Sequence, residues 1–69
     1  MNQISLTVNG EPRALPAATT LAEVVAQLSR AAAGVAAALN EAVVPRGSWS
    51  ETELHDGDRV EILTAVQGG

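Results

Sequence analysis

Cysteine, lysine, phenylalanine and tyrosine are all absent from this 69-residue chain, and tryptophan occurs once, at position 49. Without cysteine the chain has no disulfide, no thiolate metal site and no persulfide of its own. Without lysine it has no ε-amino group to act as a nucleophile or to capture an activated acyl group. The shortage of aromatics leaves the core to Leu, Ile and Val, because 13 of the apolar residues are alanine. A chain this short makes one small domain, which buries only about 60% of the surface its unfolded form exposes. A deep enclosed pocket does not fit inside it.

Positive charge is also scarce. Four arginines face eight acids, for a net charge of −4. A nucleic-acid binder needs the reverse balance, with a basic stripe and stacking aromatics, so nucleic acid is not an expected partner. The longest mainly apolar run, "AAAGVAAAL", is too short and too alanine-rich to cross a bilayer. The start, "MNQISLTV", has no basic leader followed by an apolar stretch. No membrane association and a cytoplasmic location are therefore expected. Five of the acids, Glu51, Glu53, Asp56, Asp58 and Glu61, fall within eleven residues. They form either a solvated face or a surface that steers docking onto a basic partner, and the two readings are compatible.

What is present is periodicity. In "QISLTV" Ile4, Leu6 and Val8 alternate with polar residues, which predicts a half-buried strand. Asn9-Gly10 tolerates positive φ at both positions and predicts a tight hairpin, with a returning strand from Glu11 to Leu15. Pro12 cannot donate to a sheet ladder, so it needs an edge or an outward-facing position. The pattern then changes: Leu21, Val24, Val25 and Leu28 follow the i, i+3, i+4, i+7 spacing of one helix face, predicted to pack on the sheet. Thr20 and Glu23 form a capping box at its start, and Gly34 is a reasonable stop. "VAAAL", Val35 to Leu39, has helical propensity but lies between a glycine and a turn, so its position predicts a strand with Val35, Ala37 and Leu39 inward. "AVVP" is a short strand ended by Pro45, Ser48 to Glu51 makes one helical turn, and Asp56-Gly57 makes a turn. "RVEILT" is a last strand with Val60, Ile62 and Thr64 on one face. Strands before and after one helix give an α+β layout, a sheet with the helix across one face and the first and last strands side by side.

Side chains suited to catalysis are few. His55 sits at a turn and reads as a surface residue. Asp56-Gly57-Asp58 lacks the further oxygen ligands of a calcium loop, so no metal site is expected. No glycine-rich phosphate loop precedes a helix. Trp49 reads as a plug at the edge of the core, and Arg46 either meets a partner or holds a loop.

The end of the chain, "TAVQGG", remains. A carboxylate is a poor electrophile, but joined to AMP it becomes a mixed anhydride that a sulfur nucleophile can attack, leaving a thiocarboxylate. Such chemistry must happen inside another protein, because this one has no ATP-binding apparatus. Glycines suit it: with no Cβ, they let a narrow channel close around the backbone and leave the acyl carbon unshielded.

Together, "VNGE" (Val8 to Glu11), "LNEAVVPRGSW" (Leu39 to Trp49), "DGDRVEI" (Asp56 to Ile62) and the terminal "VQGG" resemble the thiamine-biosynthesis sulfur carrier family, often called ThiS. The resemblance covers essentially the whole chain and departs at Ala37, where a larger β-branched residue is expected. It implies a ubiquitin-like β-grasp fold: a mixed sheet, one helix across a face and a free C-terminal Gly-Gly tail. Residues 1–64 would form the domain and 65–69 a flexible tail. It implies a non-enzymatic carrier with no cofactor of its own. An E1-like adenylyltransferase using Mg-ATP would activate the Gly69 carboxylate, and a cysteine desulfurase or another donor would supply sulfur. The thiocarboxylate would then serve thiazole synthase, with Ala65, Val66, Gln67 and Gly68 inserted into partner active sites. Three alternatives stay open: the small subunit of molybdopterin synthase, a ubiquitin-like protein modifier, and an interaction module with incidental glycines.

Overall fold

A computed structural model describes residues 2–28 and 34–64. The alternation of Ile4, Leu6 and Val8 becomes strand β1 (Gln3–Val8), and the chain returns antiparallel as β2 (Glu11–Pro16). Asn9 and Gly10 join them with φ of 52° and 84°, the left-handed pair that matches the twist of a two-residue hairpin. The closing pair Val8–Glu11 fixes the hydrogen-bonding alternation: Leu6–Arg13 and Ile4–Leu15 are bonded pairs, while Thr7–Pro12 and Gln3–Pro16 are not. The backbone nitrogens of Pro12 and Pro16 therefore point away from β1, on an edge strand where no donor is needed.

Helix α1 (Leu21–Leu28) follows. Its capping box is closed in both directions: the Thr20 N–H donates to Glu23 Oε1 at 2.8 Å, and the Glu23 N–H donates to Thr20 Oγ1 at 3.3 Å. Leu21, Val24 and Val25 are buried against Leu6 and Val8 of β1 and the inward residues of the later strands. Leu28 is not: it is 41% exposed, so its expected place on the sheet is corrected. It is only about 20° out of line with Leu21, but about 10.5 Å further along the axis. Periodicity gives the direction in which a side chain points, and does not say whether the sheet extends beneath it. Gly34 has φ of 76°, but the end of the helix before it lies outside the described residues.

"VAAAL" is β3 (Val35–Leu39), as its position rather than its propensity implies. It turns at Asn40 and Glu41, with φ of 52° and 73°, into the short β4 (Ala42–Val44). After Pro45 a 3-10 turn (Arg46–Glu51) brings Trp49 inward, with its indole N–H donating to the Val44 carbonyl at 2.8 Å. Trp49 thus plugs the core, and the Arg46 guanidinium lies over its ring, 5.9 Å from the centroid. The last strand, β5 (Arg59–Thr64), enters the middle of the sheet, parallel to β1 and antiparallel to β3. The strand order is β2-β1-β5-β3-β4, so the first and last strands are neighbours as expected. Ala37, small for its position, is buried between Ile62 and Val44. On β5, Val60 and Ile62 are buried, while Thr64 is exposed.

The contrast between the two leucines is measurable. Leu21 is fully buried, so Leu21→Ala is expected to cost about 2–5 kcal/mol in urea melts. Leu28→Ala is expected to cost less than about 1 kcal/mol.

Candidate functional site

β5 is the element on which the site is built. Its N–H and C=O groups alternate between its two neighbours, so each half of the ladder is filled from a different side. Toward β3, five residue pairs run from Leu39–Val60 to Val35–Thr64. Toward β1, only Thr7–Arg59 and Val8–Val60 pair before β1 turns away. Thr64, the last described residue, therefore sits at the end of a central strand. Gly69 and the inserted-tail residues Ala65, Val66, Gln67 and Gly68 lie outside the described residues.

Two side chains that the sequence reading treated only as turn formers hold this strand. Asn9 Oδ1 accepts the Ile62 N–H at 2.8 Å, and Asn9 Nδ2 donates to the Ile62 carbonyl at 3.2 Å. At the other end of β5, Asn40 Oδ1 accepts the Arg59 N–H at 2.9 Å. Glu41, beside it, pairs with the Arg59 guanidinium at 2.6 Å. The positive φ of Asn9 was legible in "NG" and a turn at Asn40 in "LNE"; the φ of 52° at Asn40 and the reach of both amides across to β5 were not.

The open face of the sheet, opposite α1, is uneven. Ala36 and Ala38 floor a shallow apolar concavity between Val43 and Leu63, which are 78% and 71% exposed, with Asn9 and Glu61 at its margin. Leu63 immediately precedes Thr64, so this apolar surface adjoins the root of residues 65–69.

The five clustered acids do not form one surface. Glu61 lies on β5, opposite Ala38. Glu51 ends the 3-10 turn, and Glu53 bridges to Thr20 at the start of α1. Asp56 and Asp58 serve the backbone: Asp56 Oδ1 accepts the Ser5 N–H at 2.7 Å, and Asp58 Oδ2 accepts the His55 N–H at 2.8 Å. Asp58 Oδ1 also accepts from Asn40 Nδ2 at 3.1 Å. Six residues of strand separate Asp58 from Thr64, roughly 20 Å. The Asp56-Gly57-Asp58 segment is the expected turn, with Gly57 at φ of 86°. Among the described residues no cluster of His, Asp and Glu could hold a metal ion. No described helix is long and apolar enough to cross a membrane.

The strand order, the helix across one face and a central strand leading to the glycines can be compared with known proteins. The ThiS family model matches residues 6–69. The chain belongs to the ThiS family. Sulfur carrier protein ThiS of Escherichia coli is 30% identical over 66 residues, which are 96% of this chain and the whole of that one. A crystal structure of the thiamine biosynthesis protein ThiS from Geobacter metallireducens superposes with a TM-score of 0.77 at 35% identity, covering 96% of this chain and 100% of that one. Thiazole synthase of Paramagnetospirillum magneticum is 32% identical over 66 residues, 96% of this chain but only 20% of that protein. The fold is accordingly the β-grasp of ThiS, and the function is that of a ThiS sulfur carrier in thiamine biosynthesis. These similarities favour the thiamine reading over the molybdopterin synthase small subunit, the protein modifier and the incidental module.

The two kinds of acid separate experimentally. Asp58→Ala removes two hydrogen bonds and is expected to lower stability by about 1–2 kcal/mol in denaturant melts. Glu51→Ala, at an exposed position, is expected to stay within about 0.5 kcal/mol of wild type.

Proposed function

We propose that Gly69 is the point at which sulfur is carried. Its carboxylate attacks the α-phosphorus of ATP in the active site of an E1-like adenylyltransferase, forming the acyl-adenylate and releasing pyrophosphate. Mg-ATP belongs to that enzyme. A sulfide then attacks the acyl carbon and AMP leaves, giving the thiocarboxylate. The outer sulfur of a persulfide from a cysteine desulfurase does the same, with a thiol to release it. The observation that carries this reading is the position of β5: held from both sides in the middle of the sheet, it leads directly into residues 65–69. A tail rooted in a central strand can be pulled into a deep site while the domain stays folded. The missing lysines suit the same chemistry, because no side-chain amine competes for the activated acyl group.

Thiazole synthase is the acceptor in this reading. The match to one-fifth of a thiazole synthase supports it, since a segment similar to this chain is there part of the same polypeptide. Ala65, Val66, Gln67 and Gly68 line the path into both enzymes, and a slim tail without aromatics or proline suits a narrow channel. The chain performs no catalysis itself, in the manner of a group carrier, and works in the cytoplasm. The exposed acids Glu51, Glu53 and Glu61, with the field of Asp56 and Asp58 behind them, steer it onto basic partner surfaces.

Deleting Gly69 is expected to abolish ATP–pyrophosphate exchange with the adenylyltransferase, while the melting curve stays nearly unchanged because the buried core of the described residues lies between Leu6 and Ile62. Full exchange by the deletion variant would overturn the carrier site. The association rate with the adenylyltransferase, followed by stopped flow, is expected to drop about tenfold or more from low to high salt. A rate that ignores salt would leave the acids as a solvated face. One preparation of the thiocarboxylate form is expected to support thiazole formation by thiazole synthase, and sulfur delivery to the molybdopterin precursor alone would overturn the choice of acceptor.

A further inference from the structure

The parallel ladder between β1 and β5 has a fixed order of bonds. The Thr7 N–H donates to the Asp58 carbonyl at 3.1 Å, and the Asn9 N–H donates to the Val60 carbonyl at 2.8 Å. In a parallel pair continued by one repeat, the Ile62 N–H would donate to the Asn9 backbone carbonyl, and the Ile62 carbonyl would accept from the N–H of residue 11. Neither bond can form, because Asn9 adopts φ of 52° and turns the chain into the hairpin. The side chain of Asn9 fills both places: Oδ1 stands where the backbone oxygen would be, at 2.8 Å, and Nδ2 stands where the next backbone N–H would be, at 3.2 Å. A primary amide is a peptide group with free ends, so it extends the ladder after the strand itself has left.

Only asparagine meets the three requirements at this position. It tolerates the left-handed conformation, and its amide presents one acceptor and one donor at the reach needed. Aspartate offers no donor, and glycine keeps the turn but offers neither. Ile62 is two residues before the end of the described strand, and it is the last position at which β5 is held from the β1 side among the described residues. The bonded pairs toward β3 fall at Glu61 and Leu63, so without Asn9 the inner flank of β5 would be loose from Val60 onward.

We propose that Asn9 is a positioning residue for the carrier reaction: its side-chain amide fixes the direction in which β5 delivers Gly69 to the enzymes that act on it. This inference rests on the carrier reading above. An anchored root gives residues 65–69 a defined origin at Thr64, so less of the preceding strand has to be ordered when they enter an active site. With the amide removed, the last residues of β5 sample more conformations, and docking has to restrict them.

The test is Asn9→Gly, which preserves the hairpin conformation, compared with wild type and with Val25→Ala, which weakens the core without removing a hydrogen bond to β5. Amide exchange by NMR and ATP–pyrophosphate exchange against carrier concentration are measured on all three. For Asn9→Gly the Ile62 amide is expected to exchange at least about tenfold faster while Val60 stays protected. Its KM for the adenylyltransferase is expected to rise about tenfold with kcat little changed, the size of ordering roughly one more residue on docking. Asn9→Asp, which keeps the acceptor, is expected to fall between the two, and gives the same readouts if the glycine variant folds poorly. Val25→Ala is expected to melt earlier with an unchanged KM. An unchanged Ile62 exchange rate, an unchanged KM, or an equal rise in KM for Val25→Ala would each overturn the positioning role. A wild-type chain that supports no pyrophosphate exchange would overturn the carrier reading itself.

Discussion

The structure depends on one central strand being gripped from both sides. β5 is the last of the described elements, yet it lies in the middle of the sheet, so both its ladders are complete only when β1 and β3 are in place. Its two inward residues, Val60 and Ile62, are also where the core cluster meets the sheet. Pairing, burial and the route to the C-terminal residues thus run through the same six residues. Under the proposed chemistry at Gly69, any pull on the chain's end is borne along a strand that two ladders hold.

Hydrogen bonding from turns to strand is the second theme. Both hairpins begin with asparagine at φ of 52°, and both asparagines turn their amides onto β5, one at Arg59 and one at Ile62. The turns therefore do more than reverse the chain. Each uses its side chain to satisfy a backbone group that the departing strand leaves open, and no buried side-chain polar atom is left unpaired among the described residues. The Asp56 to Asp58 turn works similarly from below, with both carboxylates committed to backbone donors or to Asn40. Acids that look like a charged patch in the sequence are partly structural in the fold.

Much of this was legible in the sequence, for reasons that can be named. Alternation in "QISLTV" and "RVEILT" and the capping box at Thr20 and Glu23 are local signals, and local chemistry decided them. "VAAAL" became a strand because the ladder with β5 outweighed alanine's helical preference, a case in which context rather than propensity was informative. Leu28 was misplaced because helical phase carries no information about where the sheet stops. The reach of Asn9 to Ile62 spans 53 positions, and nothing in a turn dipeptide reports on a partner that far away. The glycines were visible at once, but only the resemblance over the whole chain gave them a task.

The prolines of β2 have a consequence for the molecule in a crowded cell. A small domain with Val43 and Leu63 exposed beside a five-stranded mixed sheet is at risk of recruiting strands from its neighbours. On one side the growing edge would meet Pro12 and Pro16, whose nitrogens face outward and have no proton to offer. On the other side β4 is three residues long and ends at Pro45. Neither border is a template for fibre growth. The protein can keep Val43 and Leu63 exposed on its open face while its two edges offer little for a neighbouring strand to pair with.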